Sequence, residues 1–237
     1  NKGKAVYVEK PLALDMQSIT DIEESIYRSE NPKLFIGFNR RFSKSAQFIK
    51  QKLINNPANS INLRFSVPPL DSDHWTNIKE IGGGRIVGEA VHGIDLACYL
   101  FDSLPQSISA SAPVDKTNNM VKDNQVFLNI NFANGSHASL QYFSEANQIL
   151  SKERIEVHGE GNSYILEDFK MLRFLEGSQD RSKTFSTGKG HKESLSIFFD
   201  YVRDKSQNPF TWEEIKAVSK AAIIAQDHIN SGQQHNV

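Results

Sequence analysis

The chain has 237 residues, 38% of them hydrophobic and 23% charged, with a net charge of −1. That composition suits one large or two small folded domains and gives no global attraction for nucleic acid or an anionic membrane. A single cysteine, Cys98, excludes an internal disulfide and fits a reducing, cytoplasmic setting; no apolar run reaches the roughly 20 residues of a membrane span, and no CxxC or His-rich tract offers a metal site.

In chain order, residues 4–9 read as a buried strand that ends at Glu9-Lys10-Pro11. A lysine at the C-terminal end of such a strand sits where open α/β sheets bind ligands. A parallel strand buried on both faces needs neighbours, so the chain is expected to be the rear portion of a larger protein. Asp15 is a candidate N-cap for a helix over 16–30, where Met16, Ile19, Ile22 and Ile26 recur at helical spacing. Asn31-Pro32 ends it, and Leu34–Phe38 forms a second short strand, giving one βαβ unit with parallel strands. A helix over 44–54 follows, then a strand over 61–67 that alternates apolar and polar residues.

Pro68-Pro69 closes that strand, and the next loop carries His74-Trp75 and then Gly82-Gly83-Gly84. The spacing predicts a helix over 86–101. On a helical wheel Val87, Ala90, Val91, Ile94, Cys98 and Phe101 share one stripe, and Arg85, Glu89, His92, Asp95 and Tyr99 the opposite one. A solvated face explains the second stripe, but a glycine run entering a helix N-terminus is also a place for a polar ligand. Alternating runs then predict an antiparallel meander through Ile108–Ala112, Val126–Phe132, Ala138–Tyr142, Ile155–Val157, Tyr164–Leu166 and Leu172–Phe174. Asn134-Gly135 is its clearest hairpin turn. Helices over 191–204 and 212–231 close the chain. Lys183, Lys189, His191 and Lys192 read as a solvated basic loop.

Three motifs in order resemble the Gfo/Idh/MocA family of oxidoreductases: Val8-Glu9-Lys10-Pro11-Leu12-Ala13, Gly37-Phe38-Asn39-Arg40-Arg41-Phe42, and Gly83-Gly84 followed by His92-Gly93-Ile94-Asp95. The resemblance implies an α+β fold. Residues 1–40 would be the tail of a dinucleotide-binding Rossmann domain. Residues 41–237 would form a substrate and dimerisation domain with a large open, mostly antiparallel sheet covered by helices on one face. It implies hydride transfer at a secondary alcohol of a sugar, cyclitol or derivative, with NAD or NADP in the intact protein and none held by these residues alone.

Under that resemblance Lys10 and His92 would be catalytic, Lys10 polarising the reacting oxygen and His92 exchanging its proton. Arg85, Glu89 and Asp95 would face substrate, with Asp95 free to orient His92 instead; His74-Trp75 reads as a substrate wall, since Trp stacks on a sugar face, or equally as a Trp covering the core edge. Glu9, Lys10, Pro11 and Arg40 would meet the cofactor, although a domain-junction ion pair suits Arg40 and Arg41 equally. A homo-dimer or tetramer through the open sheet is implied. The family often has Asp and Gly where this chain has Gly88 and Ala90, and no GxGxxG or GxGxxA turn occurs in these residues. A catalytically idle relative serving as a ligand-binding or dimerisation module is the alternative.

Overall fold

The structure, a computed structural model, describes residues 4–30, 32–68, 79–115, 120–121, 125–186 and 188–231. Strand β1 (Val6–Val8), helix α1 (Met16–Tyr27) and strand β2 (Leu34–Ile36) form the expected βαβ unit, with β1 and β2 paired in parallel. Asp15 caps α1, its Oδ1 accepting from the Ser18 amide at 2.7 Å. A 3-10 turn (Asn39–Phe42) leads to α2 (Lys44–Leu53), which Ser43 caps through the Ala46 amide. These α1 and α2 spans sit within the predicted ones.

The main sheet has eight strands: β3 (Ser60–Ser66), β4 (Pro105–Ser111), β7 (Gln125–Phe132), β8 (His137–Phe143), β9 (Glu153–Gly159), β10 (Asn162–Glu167), β11 (Met171–Glu176) and β12 (Gln179–Thr184). A two-residue pair, β5 (Val114–Asp115) and β6 (Met120–Val121), stands apart. The order is β12-β11-β10-β9-β3-β8-β7-β4. Here the meander expectation needs correction. β3 inserts between β8 and β9, parallel to β8 and antiparallel to β9. The sheet is therefore mostly antiparallel with one parallel pair. The β7–β8 turn falls at Asn134-Gly135, where Gly135 takes a φ of 84°.

One face of the sheet is core. Leu63, Phe65, Leu128, Leu140, Ile155, Tyr164 and Leu172 point into it from successive strands and are buried. Helix α4 (Val91–Phe101) lies on this face through a close contact at Gly93. A Cβ there would sit 2.1 Å from Leu140 Cδ1 and 3.2 Å from Phe65 Cζ. Leu140 is itself fully buried, so it has little room to yield. Gly93→Ala is expected to destabilise the fold by about 1–3 kcal/mol through overpacking, read from denaturant unfolding. A neutral result would mean that α4 can ride off the sheet. The other face carries Ser109, Asn129, Ser139, Asn62 and Glu156 in one row across β4, β7, β8, β3 and β9, with no helix of the described residues packed on it. Helix α6 (Trp212–Ser231) packs along β4, a π turn (Ile86–Ala90) and α4, while α5 (His191–Val202) packs against the 3-10 turn.

Candidate active site

The predicted helix over 86–101 is not one α-helix. Helix α3 (Lys79–Gly82) is followed by Gly83 and Gly84 at φ 70° and 93°, then a π turn (Ile86–Ala90), and only then α4. The Val91 amide reaches back to the Ile86 carbonyl, five residues earlier, which widens the turn. The wider turn alters the angular phase of Gly88 and Glu89 relative to a wheel drawn at 100° per residue. Lys10, at the end of β1, donates its Nζ to the Gly88 carbonyl and pairs with Glu89 Oε1 at 2.9 Å. The π turn thus presents a carbonyl and a carboxylate side by side to the strand-end lysine. The Lys10–Pro11 peptide is cis, and Glu9 lies exposed with its carboxylate against Gly37.

The second stripe of the helix is not a wet face. Arg85, His92 and Asp95 are 2%, 5% and 1% exposed. What covers them is the Asn39–Phe42 turn, the α5 entry and α6, elements that a helical wheel does not contain. Asp95 does not orient His92. Its carboxylate is gripped by Arg41, with Nη2 at 2.6 Å and Nε at 3.2 Å, and Arg41 also reaches Glu214 at 3.4 Å. Burial pushes the Asp95 carboxyl up to about 6, working against the Arg41 guanidinium. This pair fastens α4 to the 3-10 turn.

His92 packs edge-on to Phe38, and its Nδ1 has no hydrogen-bond partner among the described residues. Burial, then the charges of Arg40, Lys10 and Lys189, hold its imidazole well below the ordinary histidine range. It is therefore a neutral imidazole at pH 7, able to accept a proton. Arg40, expected beside a cofactor, is buried and bidentate on Glu153, Nε at 2.7 Å and Nη2 at 2.8 Å. Its guanidinium is already matched on two edges by a carboxylate, the ion-pair alternative for this residue.

Lys189 also pairs with Glu153 Oε1, so the loop read as solvated is anchored in the site. Asn39 Nδ2 donates to the Lys189 carbonyl at 2.7 Å. Gly190, at φ 83°, lies so close that a Cβ would meet the Asn39 carbonyl oxygen at 2.4 Å and the Ser43 nitrogen at 2.6 Å. Glu153, Lys189 and Asn39 were not legible as site residues, being 36 and 150 positions apart with no shared motif. The Gly188-Lys189-Gly190 run, flanking a lysine with glycines, was the one available signal. His74 and Trp75 lie outside the described residues.

The arrangement brings a lysine ammonium, a neutral imidazole, a carboxylate and a polar carbonyl around the N-terminal end of α4. That set can polarise an oxygen and move a proton. Among the described residues no three His, Cys, Asp or Glu side chains gather to hold a metal, and no helix is long and apolar enough to cross a membrane.

Residues 56–165 match the family model described as GFO/IDH/MocA C-terminal domain. An inositol 2-dehydrogenase of Rhizobium meliloti is 26% identical over 77% of this chain and 62% of its own length. Oxidoreductase P35 of Formosa agariphila is 28% identical over 84% of this chain and 53% of its own length. The chain thus spans less than two thirds of the length of each of these two relatives. An aldose-aldose oxidoreductase from Caulobacter crescentus superposes with a TM-score of 0.81 at 15% identity, covering 98% of this chain and 71% of that one. A UDP-N-acetylglucosamine 3-dehydrogenase from Acidithiobacillus ferrooxidans does so at 0.80 and 16%, covering 97% and 72%.

Proposed function

Starting from a chain of the Gfo/Idh/MocA family, with that family's C-terminal domain over residues 56–165, we propose that it is the substrate-side portion of an NAD(P)-dependent oxidoreductase. Its substrate is a sugar, a cyclitol or a derivative, oxidised or reduced at a secondary carbon. The observation that carries this reading is Lys10 held at the end of β1 against the π turn, beside a buried neutral His92. The relatives named as inositol and sugar-nucleotide dehydrogenases support the reaction class.

The residues present fit the reactive end of a nicotinamide, because the strand-end lysine and its partners face one polar corner. The 237 residues contain no GxGxxG or GxGxxA, so a dinucleotide's phosphates find no glycine-rich turn within them. When bound, the nicotinamide supplies or accepts the hydride. The chain's own residues do the rest. His92 takes the hydroxyl proton when an alcohol is oxidised and returns it in the reverse direction, as general acid–base work requires. Lys10 places an ammonium at the reacting oxygen, and Glu89 with the Gly88 carbonyl fixes that ammonium's position. Residues 1–40 act as the edge of the nucleotide domain and 41–237 as the substrate domain. The uncovered polar sheet face serves as the surface between copies in a dimer or tetramer.

NADH or NADPH is expected to bind the full-length protein saturably in a fluorescence titration, and Lys10→Met to weaken turnover more than that binding. A full-length protein that binds neither cofactor sinks the proposal. The idle-relative reading is favoured by one feature: Gly88 stands where the family often has Asp, and Lys10 engages Glu89 instead. Cofactor binding without turnover on any polyol supports it.

A further inference from the structure

Three cations and two carboxylates meet at the corner beside His92. Lys10 pairs with Glu89, while Arg40 and Lys189 share the single carboxylate of Glu153. Arg40 occupies both Glu153 oxygens, and Lys189 approaches one of the same two. Among the described ion pairs at this corner two cations share one carboxylate, so positive charge predominates there. Lys189 is the group that carries it outward: Arg40 is 6% exposed, whereas the Lys189 side chain keeps 25% of its surface. The loop is built to hold this lysine there. The Asn39 amide grips its carbonyl, and Gly190 lets the chain pass against the 3-10 turn at a spacing no Cβ allows.

The next residue, His191, is exposed and opens α5, whose first turn has no side-chain cap. Its Nδ1 is 3.4 Å from Asn39 Nδ2. Beside these, buried His92 has an Nδ1 without a partner among the described residues. Glu9, the other acid in the strand-end motif, lies against Gly37.

We propose that Lys189, with His191 and the open first turn of α5, binds a carboxylate carried by the substrate, so that the preferred substrate is an acidic sugar or cyclitol such as a hexuronate. This rests on the oxidoreductase reading for its chemistry but not for its binding. A singly charged carboxylate matches that positive charge, and a charge-assisted hydrogen bond to a half-buried ammonium is stronger than a neutral one. The same charge acts on the imidazole: after burial, Arg40, Lys10 and Lys189 are the largest influences holding His92 low. An arriving carboxylate offsets that field and makes His92 a better base only when the correct substrate is seated.

The test is titration calorimetry of the full-length protein with D-glucuronate, D-glucose and D-glucose 6-phosphate, with and without nicotinamide dinucleotide, alongside cofactor-dependent turnover. Glucuronate is expected to bind at least about tenfold tighter than glucose, and Lys189→Gln to remove most of that ratio. Lys192→Gln, an exposed neighbour outside the site, is expected to leave the ratio intact. Glucuronate binding no tighter than glucose in either condition overturns the inference without needing any variant. A ratio unchanged in Lys189→Gln, with the variant folded by circular dichroism, overturns the role of that lysine. Tighter binding of the phosphate than of glucuronate overturns the carboxylate assignment. Glucuronate preference that depends on Lys189, with no cofactor-dependent turnover of any sugar, cyclitol or hexuronate in either direction, supports this site and removes the dehydrogenase reading.

Discussion

Replacing His92 with alanine is expected to lower the turnover of the full-length protein by roughly 10²- to 10⁴-fold, with cofactor affinity little changed. The residue is buried among cations and neutral, so it has the form needed to take a proton from an alcohol. The sign of its pH dependence follows. Protonation removes the competent base, and a folded pKa below the ordinary value moves that loss to lower pH. Oxidation should therefore stay flat as pH falls through the ordinary histidine range near 6.5 and drop only below it. A full acid-side inflection near that ordinary value would contradict the buried, cation-flanked placement. Since His92 Nδ1 makes no hydrogen bond among the described residues, the alanine variant loses mainly packing against Phe38 and should remain folded. Unchanged turnover in a folded variant removes His92 from the mechanism.

The second large effect is structural. Glu153→Gln is expected to cost about 3–5 kcal/mol of stability, because it leaves Arg40 and Lys189 together without a countercharge. Glu153 is 1% exposed, so solvent offers little screening. Burial alone would raise its pKa, but Arg40 and Lys189 outweigh burial and the net direction is down. A carboxyl depressed in the folded state contributes stability above its unfolded pKa, near 4.3, and loses it as pH falls through the folded value. Wild-type unfolding free energy should therefore decline on acidification below about pH 4, and the variant should show less of that decline. A loss under about 1 kcal/mol, the range of a surface pair, would contradict the buried network.

Local chemistry was legible in the sequence, and long-range pairing was not. Asp15 as a cap, the βαβ unit, the Asn134-Gly135 turn and the α4 core stripe each depend on residues within a turn or two of one another. Period-two alternation in Ile61–Val67 gave the buried face of β3 but not its neighbours, so its insertion between β8 and β9 was invisible. Strand β12, Gln179–Thr184, is exposed along its whole length and shows no alternation to read. At the site, the wheel separated Arg85, His92 and Asp95 from the core stripe correctly but could not say what covers them. The π turn escaped because it depends on a backbone bond five residues back, set by two glycines at positive φ. Arg40, Glu153 and Lys189 come from three distant segments, so their meeting is a tertiary fact.

The central claim is that Lys10 and His92 serve hydride chemistry on a polyol. The most direct measurement is reduction of NAD or NADP by the full-length protein across a panel of sugars, cyclitols and hexuronates. The account predicts cofactor reduction with at least one member of the panel, lost in His92→Ala. Cofactor that binds and is never reduced, across the whole panel and in both directions, would contradict it.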